Sequence, residues 1–243
     1  LLFSSAALID FEEPFEIKEF YKDSTLKFKG SFRDNKPIGV QRFYNEQGEI
    51  IKSEHYNSYG LLLAKGILLE NGKKHGYWFY YDSLGKIESE GNYSNNERSG
   101  IWKFYYNDAT LKQEGSYAKN KPSGTWTWYY ENGKILRIEE FAAGKRNGKF
   151  VEYNEQGEII ITGVYTDDKQ QGKWITKNGD ITSYETYEYG DKIKTWYSLY
   201  SNGNKQFKGK YFTNKPHGKH NYFYNNGTLE HQEIYVYGKP SKA

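Results

Sequence analysis

The sequence predicts an all-β repeat protein, a single-layer antiparallel β-meander of about nine 24-residue hairpins, twisted or curved. Three observations predict this fold: an aromatic and glycine-rich composition, glycines that recur at a fixed period, and a turn signal inside each period. Phe, Trp and Tyr make up 19% of the chain, which also has 25 glycines but is only 36% hydrophobic. Disordered chains are poor in aromatic residues. A composition rich in Tyr and Gly therefore favours β-structure with many turns.

The period is visible in a set of glycines spaced 24 residues apart: Gly76, Gly100, Gly124, Gly148 and Gly172. When each of these glycines is numbered position 0 of a unit, position 2 is an aromatic residue: Trp78, Trp102, Trp126, Phe150 and Trp174. Position 9 is usually glycine, and position 17 is Tyr or Phe. The same register extends in both directions, so about nine units cover residues 15–240.

Each unit is predicted to form a β-hairpin. Asn132-Gly133 is typical of a type I′ turn, which needs a positive φ at both central residues. Paired positions then sum to 17, so the aromatic residue at position 2 lies opposite a glycine or glutamate at position 15. A ring beside a strand glycine covers backbone that would otherwise weaken the sheet. We expect all of these rings on one face of the sheet and solvated residues on the other.

The repeat register also predicts the domain boundaries. Residues 1–14 form an N-terminal apolar arm, residues 15–240 form the hairpin array, and residues 241–243 form a tail. An insertion at about 57–75 contains LLLAKGILLENG, which resembles an additional strand with its loop; a projecting docking element is the alternative. The opening LLFSSAALID also resembles the end of a secretory signal, so a signal remnant and a mature arm both remain open.

Charge and residue types exclude several kinds of chemistry. The net charge of +3 gives no argument for nucleic-acid binding. The chain has no Cys, which excludes disulfides and Cys–zinc sites. No apolar run approaches the roughly 18 residues of a membrane span, so we expect no transmembrane segment. Histidines and paired carboxylates occupy ordinary repeat columns, so we expect no catalytic, metal or cofactor site and no enzymatic activity.

These residues resemble the MORN repeat family, in its bacterial variant with the pattern G-x-W-x-x-Y-Y-x-N-G. The stretches GTWTWYYENGK at 124–134 and GIWKFYYNDAT at 100–110 carry the resemblance best. It implies a twisted or curved single-layer sheet that serves as a scaffold or binding surface. Some bacterial relatives are labelled antitoxins, and others belong to envelope assemblies, including a plug at the periplasmic end of a type IX secretion translocon. The family defines no catalytic residues.

The function we expect is therefore a non-enzymatic repeat scaffold that binds a protein complex, which could include a membrane protein. The resemblance implies a subunit of a bacterial envelope or outer-membrane complex, such as a plug or adaptor of a secretion translocon, in the periplasm or cell envelope. Two alternatives remain: a glycan- or peptidoglycan-binding module, and a cytoplasmic antitoxin-like protein. We expect no cofactor and no nucleic-acid partner.

The candidate partner-binding residues are aromatic, aliphatic or basic. A partner can cover an aromatic sheet face, and aromatic residues are favoured anchors of interfaces. Lysines near position 21 are predicted to line one edge of the sheet, in the loops between units. The candidates are Trp78, Trp102, Trp126, Trp128, Trp196, Tyr80, Tyr106, Tyr130, Leu61, Leu62, Leu63, Lys121, Lys145, Lys169 and Lys215.

Overall fold

The computed structural model describes residues 13–241, and it confirms the predicted fold class. The described residues form 21 β-strands, and strands that follow one another pair antiparallel as a meander of hairpins. They include no helix, and therefore none that could cross a membrane. Most of the predicted N-terminal arm, residues 1–12, and the end of the predicted tail, residues 242–243, lie outside the described residues.

The chain divides into two compact units, Leu1–Ala109 and Thr110–Ala243. Among residues 13–241, eight of the nine predicted hairpins fall within one unit or the other. The first unit contains the strands β1 (Phe15–Phe20), β2 (Leu26–Arg33), β3 (Lys36–Tyr44), β4 (Ile50–Tyr56), β5 (Leu62–Leu68), β6 (Lys74–Tyr81), β7 (Ile87–Ser94) and β8 (Glu97–Tyr105).

The second unit continues the same alternation of long strands, with two short strands near its end. Its strands are β9 (Leu111–Ala118), β10 (Lys121–Tyr129), β11 (Ile135–Ala142), β12 (Lys145–Tyr153), β13 (Ile159–Thr166), β14 (Lys169–Asn178), β15 (Ile181–Glu188), β16 (Asp191–Lys192), β17 (Lys194–Tyr200), β18 (Lys205–Phe212), β19 (Lys215–Phe223), β20 (Leu229–Val236) and β21 (Lys239–Pro240).

The predicted pairing within hairpins is confirmed. Trp126 pairs with Glu139, and Trp196 pairs with Gly209, so positions 2 and 15 lie opposite each other. The pairing shifts by one residue near the turn, between Trp128 and the residue that follows it. This bulge accounts for the one extra residue on the returning strand.

The prediction of a type I′ turn at Asn132-Gly133 is wrong. Gly133 has a φ of 79° and donates its N–H to the carbonyl of Tyr130 at 2.9 Å, whereas Asn132 is not in the positive-φ region. This geometry is a type I turn closed by a glycine bulge. The turns with two positive φ values lie between units instead, as at Ala143 (52°) and Gly144 (92°).

Because of the extra strand β5, the position-2 side chain that precedes β5 and the one that follows it lie on opposite faces of the sheet in the first unit. Glu54 pairs with Gln41 on β3 and with Lys65 on β5. Lys65 pairs with Phe79, the residue after Trp78. Paired residues share a face, and successive residues point to opposite faces. Gln41 and Trp78, which both occupy position 2, therefore lie on opposite faces.

The turn that precedes β5 explains this inversion. Gly60 donates its N–H to the carbonyl of Asn57, and Asn57 donates to Leu61, as in the bulged turns within hairpins. Units are normally joined by a two-residue turn. The bulged turn before β5 instead shifts the pairing by one residue, and such a shift exchanges the two faces of a strand. The expectation that all rings share one face is therefore wrong for the first unit. Strand β5 pairs along both edges, so this segment does not project.

Ala109 occupies the turn position that glycine fills in most units, and its φ is 70°. A left-handed backbone costs a non-glycine residue about 1–2 kcal/mol. We expect Ala109→Gly to raise the free energy of unfolding by about 1 kcal/mol and Gly133→Ala to lower it by a similar amount. Urea unfolding monitored by circular dichroism measures both. Equal stability of the two variants and the wild type would contradict this account of the turn.

Candidate partner-binding surface

Three tryptophans at position 2 cover glycines of the preceding hairpin: Trp102, Trp126 and Trp174. Trp126 pairs with Gly115 on β9, and a Cβ atom added to Gly115 would fall inside the contact distance of the indole ring. The indole Nε1 also donates a hydrogen bond to the carbonyl of Ser116 at 3.1 Å. Trp102 does the same one unit earlier, because it lies over Gly91 and donates to the carbonyl of Asn92 at 3.1 Å. The prediction that each ring covers position 15 of its own hairpin is therefore wrong for these rings.

Two residues that are not tryptophan reproduce this contact. Gln41 lies over Gly30, and its Nε2 donates to the carbonyl of Ser31 at 2.9 Å. His220 lies over Gly209, and its Nε2 is 2.8 Å from the carbonyl of Lys210. Gln41 and His220 are both only 2% exposed. In these units the position-2 side chain covers the glycine and offers an N–H group to the next carbonyl. The N–H contact is not required at every position 2, because Phe150 has no N–H group and the buried Trp174 Nε1 has no hydrogen-bond partner within the described residues.

The structure places the four position-2 candidates in the interior. Their exposed fractions are 3% for Trp78, 0% for Trp102, 3% for Trp126 and 7% for Trp196. Rings buried to this degree offer little surface to a partner. Their position supports a structural role, so it does not support the predicted role of these four in partner binding.

The remaining aromatic and aliphatic candidates are half-buried: Trp128, Tyr80, Tyr106, Tyr130, Leu61, Leu62 and Leu63. The Arg137 guanidinium lies over the Trp128 ring at 4.4 Å. Tyr130 donates its hydroxyl to the carbonyl of Tyr153 at 2.7 Å. Burial, followed by the hydrogen bond with Tyr93, raises the pKa of Tyr80. These contacts fix the rings and leave only part of each one accessible.

The four lysine candidates are exposed and lie in strands rather than in loops. Each is the first residue after a two-residue turn: Lys121, Lys145, Lys169 and Lys215. Lys145 lies 3.4 Å from Asp167, and Arg146 lies 3.3 Å from Asp168. The backbone N–H of Arg146, and then its side chain, hold the pKa of Asp168 below its usual value. Exposed ion pairs of this kind contribute little stability.

The face of the second unit opposite its tryptophans carries an apolar row, although the sequence predicts a solvated face there. The row crosses successive strands and consists of Ile138, Val151, Ile175, Tyr184 and Tyr197, with Thr162 of β13 between Val151 and Ile175. Val151 is 2% exposed, whereas Ile175 and Tyr197 are each 37% exposed. The rings of Tyr184 and Tyr197 stack at 4.7 Å with an interplanar angle of 13°. A signal for this row was present in the sequence, because position 3 carries a β-branched or aromatic residue in each of these units.

A hollow of about 250 Å³ lies beside the stacked tyrosines. Thr186 and Thr195 line it together with Lys173, Ile175 and the two tyrosines of the row. Strands β15 and β17 pair directly only over Ile181–Tyr184, so they separate next to Thr186. The apolar row therefore ends in a recess that a partner side chain could enter.

Gly115 tests the contact between position 2 and the preceding hairpin. We expect Gly115→Ala to lower the free energy of unfolding by about 1–3 kcal/mol, because the new Cβ would overlap the Trp126 ring. Ser116→Ala is the control, since its backbone carbonyl still accepts the indole N–H, and we expect a change within about 0.5 kcal/mol. Denaturant unfolding measures both variants. A neutral effect of Gly115→Ala would show that the ring does not constrain this glycine.

The burial of the Glu139 carboxyl predicts that the free energy of unfolding depends on pH. Glu139 is buried at position 15, and burial raises the pKa of its carboxyl although Arg137 and Arg146 oppose this. A raised folded-state pKa contributes stability at low pH that is lost as pH rises through that pKa. We expect Glu139→Gln, which stays neutral, to gain stability relative to wild type between about pH 4 and pH 7. Glu155→Gln in an exposed turn should show no such trend in thermal unfolding.

Two of the hairpins match a family model described as the MORN repeat variant, at residues 74–95 and 122–143. These matches coincide with the hairpins β6–β7 and β10–β11. No curated protein matches the chain.

Solved structures show only weak overall similarity. A crystal structure of a GtfA/B complex bound to UDP and GlcNAc is 15% identical over 49% of this chain and 21% of that one, with a TM-score of 0.17. The crystal structure of TcdB2-TccC3-TEV is 11% identical over 90% of this chain and 15% of that one, with a TM-score of 0.25. A Photorhabdus luminescens Tc holotoxin pore is 13% identical over the same shares, with a TM-score of 0.22.

This chain spans about a fifth or less of the length of those three structures, and scores this low carry no functional argument. The repeat match is more informative, because it falls on the units in which Trp78 and Trp126 occupy position 2. The same pairing of positions 2 and 15 recurs in other hairpins of the second unit. The chain therefore contains MORN repeats of the variant type, at the two matched hairpins.

Proposed function

We propose that this protein is a non-enzymatic scaffold that binds a protein partner through the apolar row of its second unit. The observation that carries the proposal is the partly exposed Tyr184–Tyr197 pair beside the 250 Å³ hollow. Tyrosine is among the residues most enriched at binding hot spots. A large ring next to a recess is also the arrangement in which such hot spots pack.

Charge next to the row indicates the kind of partner. Lys149 and Lys173 lie two residues before Val151 and Ile175 on the same strands, so they share the face of the row. Both lysines are exposed, and neither forms an ion pair within residues 13–241. An acidic rim on the partner would complement these lysines, and complementary charge favours correct encounter over wrong partners.

Protein binding is better supported than glycan binding on this geometry. Glycan stacking was expected to use tryptophan rings, but Trp126 and its counterparts at position 2 are buried. The accessible apolar surface instead combines aliphatic residues with two tyrosines that stack on each other. Such a mixed surface is typical of protein interfaces.

The cellular setting of the proposal rests on the family resemblance alone. We propose a subunit of a bacterial envelope complex, such as a plug or adaptor of a secretion translocon, located in the periplasm or cell envelope. Fractionation of cells that express the full-length gene tests the location. Recovery only in the cytoplasm would favour the antitoxin-like alternative.

The binding surface is tested with a double variant, Tyr184→Ser with Tyr197→Ser. We expect chemical crosslinking in the native host, followed by affinity purification, to recover a specific protein with the wild type. Recovery should fall about tenfold with the double variant, because it removes the aromatic anchor. The matched control is Tyr224→Ser, which changes a 53% exposed tyrosine in a turn outside the row. Equal recovery by all three proteins would overturn the proposed surface.

A further inference from the structure

A basic hollow of about 400 Å³ lies in the second unit between strands β18 and β19, on the face that carries the apolar row. The side chains that line it are those of Lys208, Lys210, Lys219, Thr195, Asn221 and His217. Among the described residues that line it there is no Asp or Glu. The three lysines are exposed and form no ion pair within residues 13–241. Positive charge is therefore concentrated around a recess that contains no negative charge of its own.

The basic hollow lies where the pairing of these two strands is irregular. The three residues 218–220 of β19 lie opposite Gly209 alone, because the register of the strands shifts there. Such irregularities bend a strand and redirect its side chains. Gly218 has a φ of 74°, and a Cβ atom added to it would meet no heavy atom within 4 Å. The space over Gly218 is therefore open.

An earlier hairpin pair shows which kind of group fits into this space. Glu140 occupies position 16 of its unit, and Gly148 is position 0 of the next unit; Lys210 and Gly218 are their counterparts at the basic hollow. A Cβ atom on Gly148 would overlap the Glu140 carboxylate, whose Oε2 accepts the backbone N–H of Lys149 at 2.9 Å. Both glycines have a positive φ, 125° at Gly148 and 74° at Gly218. A carboxylate therefore fits over the glycine of this irregular pairing.

Two of the lysines have the spacing of side chains on an extended segment. Lys208 and Lys210 lie two residues apart on β18, so their side chains share a face at an interval of about 6.5 Å. Carboxylates two residues apart in an extended segment repeat at the same interval. Lys208 also pairs with Tyr197, so a segment bound here would lie beside the Tyr184–Tyr197 pair. Charge and position therefore favour a protein segment over an isolated anion.

We propose that the basic hollow binds an extended acidic segment of the protein partner, with Asp or Glu at alternate positions. One carboxylate lies over Gly218, as that of Glu140 lies over Gly148, and pairs with Lys210 and Lys219. The next carboxylate on the same face pairs with Lys208. Complementary charge of this kind favours the correct partner over wrong ones. This inference rests on the proposed function, because it names the chemistry of the partner that contacts the apolar row.

The probe is a short synthetic peptide in which Glu alternates with Ser, and its counterpart has Gln in place of Glu. Nitrogen–proton NMR spectra of the wild-type protein measure binding residue by residue. We expect the amide signals of Lys210 and Lys219 to shift with the Glu peptide and to stay in place with the Gln peptide. Raising the salt from about 0.1 M to about 1 M should abolish the shifts, because the screening length falls from about 10 Å to about 3 Å.

Lys210→Glu is the decisive variant, because it gives the basic hollow a carboxylate of its own at the position that Glu140 occupies. We expect it to weaken binding of the Glu peptide about tenfold. A second variant, Lys208→Gln with Lys219→Gln, removes two charges, keeps most of the side-chain length and should weaken binding to a similar degree. Lys205→Gln is the matched control, since it removes an exposed lysine of the same strand outside the hollow and should leave binding intact. Unchanged circular dichroism spectra show that the variants are folded.

The variant Tyr184→Ser with Tyr197→Ser separates this inference from the proposed function. It should bind the Glu peptide as the wild type does, while the double lysine variant should recover about tenfold less partner after crosslinking in the host. If only the tyrosine variant loses the partner, the proposed function stands and the acidic segment is overturned. If only the lysine variant loses it, the basic hollow stands and the apolar row is overturned.

The peptide experiment can also overturn the inference by itself. It does so if the Glu peptide leaves the spectrum of the wild-type protein unchanged, or if the Gln peptide shifts the same signals equally. Equal shifts with inorganic phosphate, or with vesicles that contain phosphatidylglycerol, would show a general anion site and would overturn the acidic protein segment.

Discussion

The fold depends on the buried side chain at position 2, which packs against the preceding hairpin and in most units crosses a strand glycine there. Trp126 makes this contact with Gly115 and Ser116. A bare glycine weakens a strand because it contributes no side chain to packing. An aromatic ring buries about 150–250 Å², so a chain that is only 36% hydrophobic obtains much of its apolar burial from these rings. The contact joins successive hairpins, so it also holds the array together.

The contact tolerates variation at position 2, where Phe150 is buried without an N–H donor and two other units have His220 and Gln41. His220 supplies a ring and a nitrogen near the Lys210 carbonyl, whereas Gln41 supplies only the amide. Beside Gln41, the Phe28 ring packs between Phe32 and Phe43, with centroid distances of 6.2 and 5.1 Å. The unit that has His220 at position 2 shows the same compensation, because the Phe207 ring packs 5.4 Å from His220.

Because the side chains at position 2 are buried in packing contacts, the surfaces available for binding lie elsewhere. In the second unit the opposite face carries the row that ends at Tyr184 and Tyr197, with exposed lysines beside it. In the first unit the insertion of β5 exchanges the two faces, so rings occur on both sides of its sheet. A repeat that is regular in sequence thus presents different surfaces along its length.

The sequence by itself determined the period, the hairpins and their pairing, because the spacing of Gly124, Trp126 and Glu139 fixes which residues lie opposite each other. It did not determine the turn at Gly133, because an Asn-Gly pair is compatible with more than one turn geometry. Only the tertiary structure decided which glycine each ring covers and on which face of the sheet the position-2 side chains after β5 lie. Those outcomes depend on contacts between neighbouring hairpins, where a pairing shift of one residue exchanges the faces while the repeat pattern stays the same.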